Sequence, residues 1–407
     1  MSIAATKKHF SSVTSLRKFS PDVLARFLRS FPEYLAARGL NIPAPGQIGK
    51  EGLPFQAILD ACMARDIDPE LNRVLFIASH MGNAAGVSQI RDEHAQRRAA
   101  LPADLQLHTH YDVPLLVWLA RTAEHPDILE QSYARVRIHS KSSYRYYAPT
   151  RDALSRYRKP NRARMDELRA TLAEHFTDKR NGKAVNVLDY DYEHEIWFLI
   201  RYPGQPVRPD AVNTADGSDA DAPYVPRQYD AVVFHKTYGD LRMNTNRHQD
   251  HKVYRMAFGD ALLQESNIFH PTLQIITLAP IRAPCRHLFL SAESDPYPRV
   301  RPVEVCFNDL DIPGRRITWR ANVNDSHLFQ YTTDASPDRL LPSTVDTVHK
   351  ATFRYTLSGT DTWHSMTVHQ GMDLRFERDG DSAMLESWLR ERGFIIDVLK
   401  KAKPSAR

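Results

Sequence analysis

The spacing of apolar residues changes character near residue 130, and that change limits what the chain can fold into. Before it, apolar positions recur every three or four residues, as in Val23, Leu24, Phe27, Leu28, Phe31, Tyr34 and Leu35. That is the period of a helix with one face against a core. After it, apolar and polar residues tend to alternate, the period of half-buried strands. The expectation is an α+β protein, with an N-terminal all-helical domain followed by a mostly antiparallel mixed α+β core. The expected divisions are a helical domain over 1–130, a basic α+β domain over 131–280 and a strand-rich α+β region with a C-terminal helix over 281–407.

Punctuation supports the helices. Ser20-Pro21-Asp22 and Asp68-Pro69 read as cap-and-proline starts. A helix over 54–65 turns Phe55, Ile58, Leu59 and Cys62 inward. Residues 79–100 read as a turn and a polar helix from about 86. The glycines at 82 and 86 lack the strand and the Gly-Lys-Ser/Thr of a phosphate loop. Asp112 is placed to cap an apolar helix over 112–122.

Val136, Ile138 and Ser140 alternate with Arg135, Arg137, His139 and Lys141, which reads as a strand with a basic open face. Tyr144 to Tyr147 reads as a second strand, and Asn161 caps the helix after it. Residues 185–200 read as one strand, 203–227 as a long Pro/Asp-rich exposed loop, and 229–245 as a hairpin turning at Gly239. A helix over 251–264 and a strand over 273–281 follow. Alternating segments at 303–307, 315–323, 351–357 and 361–371 read as an antiparallel sheet, and the last helix stops at Gly393.

Charge is concentrated in one place. Residues 133–180 hold thirteen Lys or Arg against five Asp or Glu, a formal +8 in a chain that totals +5. Cations neutralise phosphates and release counterions, and interleaved tyrosines can stack on exposed bases. Arg135, Arg137, Lys141, Tyr144, Arg145, Tyr146, Arg156, Arg158, Lys159 and Arg162 are therefore the candidate nucleic-acid-binding residues. The plainer alternative is a solvated basic face whose tyrosines are half-buried. No zinc-finger spacing, KH-type GxxG or ribonucleoprotein motif accompanies them.

A second constellation is acidic. Asp189, Asp191, Glu193 and Glu195 lie at spacing two, which would crowd them on one face of a strand. With Asp230 they suggest an alternative reading, a metal site on Asp189, Asp191, Glu193 and Asp230 serving a nuclease or phosphoesterase. Against it, Phe234 stands two before Lys236 where an acid is wanted. His108 and His110 form an HxH pair without a supporting second group, and His248 and His251 sit at a polar helix start. His364 and His369 should face opposite ways on a strand. No G-x-S-x-G, Walker A, H-E-x-x-H or dinucleotide fingerprint is present.

The 42% apolar and 25% charged content is that of a globular protein. The three cysteines, Cys62, Cys285 and Cys306, are too scattered for a disulfide framework or a cysteine zinc site. The start MSIAATKKHFSSV has no signal-peptide core, and no apolar run is long enough to span a membrane. These point to a cytoplasmic protein with no membrane association and no cofactor. The leading expectation is a nucleic-acid-associated accessory or regulatory protein. The alternatives are the metal-dependent nuclease or phosphoesterase and a protein-interaction subunit of a larger assembly, with an acidic protein as its candidate partner. Oligomeric state is not legible.

Overall fold

The structure is a computed structural model. It describes residues 7–49, 52–64, 66–97, 99–101, 108–122, 128–150, 152–180, 185–204, 211–212, 219–220, 227–289, 299–309, 312, 314–321, 328, 338–342, 345, 347–358, 361–371, 373–376 and 382–397. The chain is α+β and divides into two compact units, Met1–Ile138 and His139–Arg407. No helix among the described residues is long and apolar enough to cross a membrane.

The described elements of the first unit are helical: α1 (Val13–Leu16), α2 (Pro21–Leu28), α3 (Pro32–Ala36), α4 (Phe55–Met63), α5 (Pro69–Met81), α6 (Ala84–Arg97), α7 (Val113–Leu119) and α8 (Ile128–His139), whose last residue belongs to the second unit. They enclose one apolar core, in which Trp118 meets Phe27 and Phe31 at ring separations of 5.2 and 5.5 Å. Asp68 caps α5 as expected, accepting from the amides of Glu70 and Leu71 at 2.9 Å. The other two expected caps are spent elsewhere. Ser20 gives its amide and its hydroxyl to Asp112, which also accepts from Thr109. One buried carboxylate thus ties the start of α2 to the start of α7. Gly86 is required sterically, since a Cβ there would lie 2.3 Å from the Met81 carbonyl oxygen.

The strand expected over 135–141 is instead the end of α8. Its buried residues Ile128, Leu129, Ser132, Tyr133 and Ile138 follow helical spacing. The alternation of three residues was a fragment of that longer period.

The second unit is built on a ten-stranded antiparallel sheet in the order β2-β3-β6-β7-β1-β12-β11-β10-β8-β9. Its strands are β1 (Ser143–Tyr147), β2 (Asn186–Asp191), β3 (Glu195–Pro203), β6 (Arg227–His235), β7 (Leu241–Asn244), β8 (Arg299–Asn308), β9 (Arg316–Arg320), β10 (Val348–Thr356), β11 (Trp363–His369) and β12 (Asp373–Phe376). A separate two-residue ladder pairs β4 (Ala211–Val212) with β5 (Asp219–Ala220); within the Pro/Asp-rich stretch Pro203 ends β3 and Arg227 opens β6, and residues 205–210, 213–218 and 221–226 lie outside the described residues. One sheet therefore takes strands from both sides of residue 280. Gly239, at φ +73°, lies in the turn between β6 and β7.

Two further readings change. Residues 185–200 are a hairpin, with β2 and β3 pairing from Asn186↔Arg201 to Asp191↔Ile196. Residues 273–281 are no strand: Ile276 alone bridges to Gly371 and Ile395, and a 3-10 turn covers Ala279–Arg282. The neighbouring amides find unrelated partners, Thr277 on the Phe394 carbonyl and Leu278 on the Gln370 side chain.

On the front of the sheet, α9 (Arg162–Arg180) and α10 (Asp250–Leu263) bury Ile196, Phe198, Val232, Phe234, Leu241, Met243 and Tyr147. Asn161 caps α9 through the Arg164 amide. On the rear, α11 (Ser382–Glu391) packs Leu385, Trp388 and Leu389, and Phe394 meets Phe353.

Candidate nucleic-acid interface

The front of the other half of the sheet carries a different set of side chains. Cross-strand partners share a face, so the register assigns it. Lys350 pairs with Cys306 and His369, Arg354 with Arg301 and Ser365, and Thr356 with Arg299 and Trp363. Thr367 pairs with Arg375, which pairs with Ser143; Arg145 pairs with Asp373. Beyond β8, Arg320 pairs with Glu304 and Arg316 with Asn308. The rear alternates, Val300, Val305, Phe307, Ala351, Phe353, Tyr355, Met366, Val368 and Leu374, are all buried. The front positions are mostly half-exposed or exposed, with Glu304 and Thr356 the buried exceptions.

Among the described residues this front carries eight cations, Arg145, Arg299, Arg301, Arg316, Arg320, Lys350, Arg354 and Arg375, against two strand carboxylates, Glu304 and Asp373, and Asp361, just ahead of β11, pairs with Arg299 at 2.5 Å. Glu304 is held between Lys350 and Arg320. Burial pushes its pKa up, but the hydrogen bonds from those two cations outweigh it and leave it below the ordinary value. Arg145 grips Asp373 with two prongs at 2.6 and 2.7 Å. Trp363 lies among three guanidinium groups, with Arg301, Arg354 and Arg299 at 5.0, 5.4 and 5.7 Å from its ring centre. Burial lowers the His369 pKa, so its ring stays neutral near pH 7.

Of the ten residues that composition singled out, Arg145 is the one that the strand register places on this face. Arg135 is buried in α8 against Glu93 at 3.3 Å, and Arg137 is half-buried in the same helix. Lys141 is half-buried ahead of β1. Tyr144 and Tyr146 are buried on the rear, where the Tyr146 hydroxyl donates to Glu386 at 2.6 Å. Arg156 pairs with Glu265, and Arg158 donates to the carbonyls of Ser155 and Tyr157. Lys159 holds Asp191 at 2.6 Å, and Arg162 is exposed at the start of α9. The structure does not bring these ten onto one surface.

The four carboxylates of the metal reading do not converge either. The hairpin reverses at Tyr192–His194, so Asp189 and Asp191 lie on β2, Glu193 in the turn and Glu195 across the sheet on the rear. Asp191 is engaged by Lys159 and Lys236. Burial pushes its pKa up, and those lysines bring it below the ordinary value. Asp230 is fully buried on the front, where Tyr202, Tyr254 and the Asn246 amide donate to it at 2.8–2.9 Å. Burial prevails there and raises its pKa. No group of three or more His, Cys, Asp or Glu among the described residues can hold a metal.

The rear of the helix-covered half holds a buried ionic network that the sequence did not announce. Arg242 reaches both Glu195 and Glu386; Trp197 Nε1 donates to Glu195 at 2.6 Å. Burial alone would favour a neutral guanidine, but Glu195 and Glu386 hold Arg242 firmly charged. Arg390 pairs with Asp240 at 2.7 Å and covers the Tyr238 ring at 3.8 Å. Glu386 and Arg390 both belong to α11, so the network fastens that helix to β7 and β3. Its carboxylates are occupied by structural donors, which makes it an anchor. No family model matches the chain, and a search of curated proteins finds no match.

Proposed function

We propose that the open front of the sheet binds the phosphate backbone of nucleic acid, and that the protein is a cytoplasmic nucleic-acid-associated accessory or regulatory protein. The observation that supports this is the alignment of eight cations on one face of β9, β8, β10, β12 and β1. Such a row neutralises phosphates and releases condensed counterions. The hydroxyls of Thr352 and Thr367, paired at 3.2 Å within it, add hydrogen-bonding capacity to backbone oxygens.

The test is a salt titration of binding to short DNA and RNA. Five phosphate contacts give a log–log slope of about −4.5 on duplex and about −3.5 on single strands. Replacing Arg301, Arg320, Arg354 and Arg375 together by Ala should abolish measurable binding and leave the fold intact. Unchanged affinity in that folded variant refutes the proposal. Retention of an acidic polypeptide but of no nucleic acid transfers the face to a protein partner.

A further inference from the structure

We infer that the indole of Trp363 is a stacking platform for an unpaired base, so that this face takes single-stranded nucleic acid in preference to duplex. The inference rests on the phosphate-binding reading above and specifies its substrate.

The first argument is width. Strands lie about 4.8 Å apart, so the five spacings from β9 to β1 make a face roughly 24 Å across. The major groove of a duplex is about 12 Å wide and admits a helix or a two-stranded ribbon. A sheet of six strands cannot enter it. A duplex could then meet the front only through its phosphates, and an aromatic ring there would have nothing to read. A single strand laid across the same strands turns its bases toward the protein.

The second argument is what surrounds the ring. Trp363 is half-exposed on the front of β11, where its cross-strand partner is Thr356. The guanidinium groups of Arg299, Arg301 and Arg354 lie over the ring, 5.0–5.7 Å from its centre. A base stacked on the indole would take their place over the ring and leave these long, flexible cations to meet its flanking phosphates. Ser365 and Thr367, further along β11, put small hydroxyl side chains on the same face, which leaves room for a chain to pass. Trp319, by contrast, projects to the rear, where it meets Phe307 edge-on at 4.9 Å.

The experiment is fluorescence anisotropy with a labelled 12-nucleotide oligo-dT and a mixed-sequence duplex of equal length, at matched salt. Wild type, Trp363→Ala and Trp363→Phe are compared. Wild type should prefer the single strand. Trp363→Ala should lose about ten-fold in affinity for it, with an unchanged salt slope and unchanged duplex binding, and Trp363→Phe should recover most of the loss. Circular dichroism of both variants establishes that they are folded, and the Phe variant keeps the test decisive if the Ala variant is not. Equal affinity of wild type and Ala variant for oligo-dT, or a preference for duplex, overturns the inference and leaves phosphate binding standing. Absence of binding to either probe by wild type overturns both.

Discussion

On the front of β3, β6, β7 and β1, two helices bury Phe198, Val232, Met243 and Tyr147. On β8, β10, β11 and β12 the same face presents Arg301, Arg354, Trp363 and Arg375 instead. The backbone arrangement is one continuous antiparallel sheet in both halves. What differs is the set of side chains at the alternate positions of each strand. In the covered half, a buried network of charges gathers on the rear around Arg242, while Asp230 is buried on the front among hydroxyl and amide donors. In the open half, the rear is apolar at most positions, with His364 among them, and charge collects on the front. The same cation type is a buried anchor in one half and lies on an open face in the other, and the number of carboxylates facing it decides which.

That contrast can be broken by substitution. Arg242→Ala leaves Glu195 and Glu386 buried without their partner and should cost about 3–5 kcal/mol of stability, measured by urea unfolding. A loss below about 1 kcal/mol would mean that the network is not an anchor. An acid titration of stability comes next. Burial first, then Arg145 and His248, push the His251 pKa down to about 4, and burial with its neighbours does the same to His9 in the first unit. The unfolded chain takes up these protons near pH 6.5, the folded chain only near 4. Stability should therefore be complete above 6.5 and fall as pH drops toward 4. His251→Gln should flatten part of that fall, and an unaltered profile would show that His251 takes no part. Arg145→Ala, at the border of the halves, should cost about 1 kcal/mol, with a double-mutant cycle to Asp373→Ala recovering most of it as coupling. Arg375→Ala should shift stability by no more than about 0.5 kcal/mol and shallow the salt slope by roughly 0.7–0.9. A large stability loss there would erase the distinction between the halves.

Much of the architecture was legible beforehand. The α+β class, the hairpin at Gly239, the cap at Asp68 and the strands within 303–371 all follow from period and punctuation. His364 and His369 face opposite ways, as their spacing required. The basic stretch over 133–180 misled because density along the chain is not density in space. Tyr144, Arg145 and Tyr146 are consecutive, so β1 sends them to alternate faces. The open face is written in RVRPVEV, VHKATFRYT and DLRF, as polar or charged residues at alternate positions. Local alternation marks a strand, but its polar half cannot be traced from strand to strand, because the pairing order is not in the local sequence. The network around Arg242 was hidden for the same reason: its members come from β3, β7 and α11.

One feature of the sheet bears on how the chain is made. Arg145 meets Asp373, 228 residues downstream, because β1 lies between β7 and β12. While a ribosome is still synthesising the middle of the protein, β1 can zip to β7 but has nothing to offer its other side. That flank stays a bare strand edge, a template for self-association, until Asp373–Phe376 emerge. Completion of the sheet thus waits for residues 373–376 to be translated, and a nascent chain halted before residue 373 should depend on holdase chaperones to stay out of aggregates.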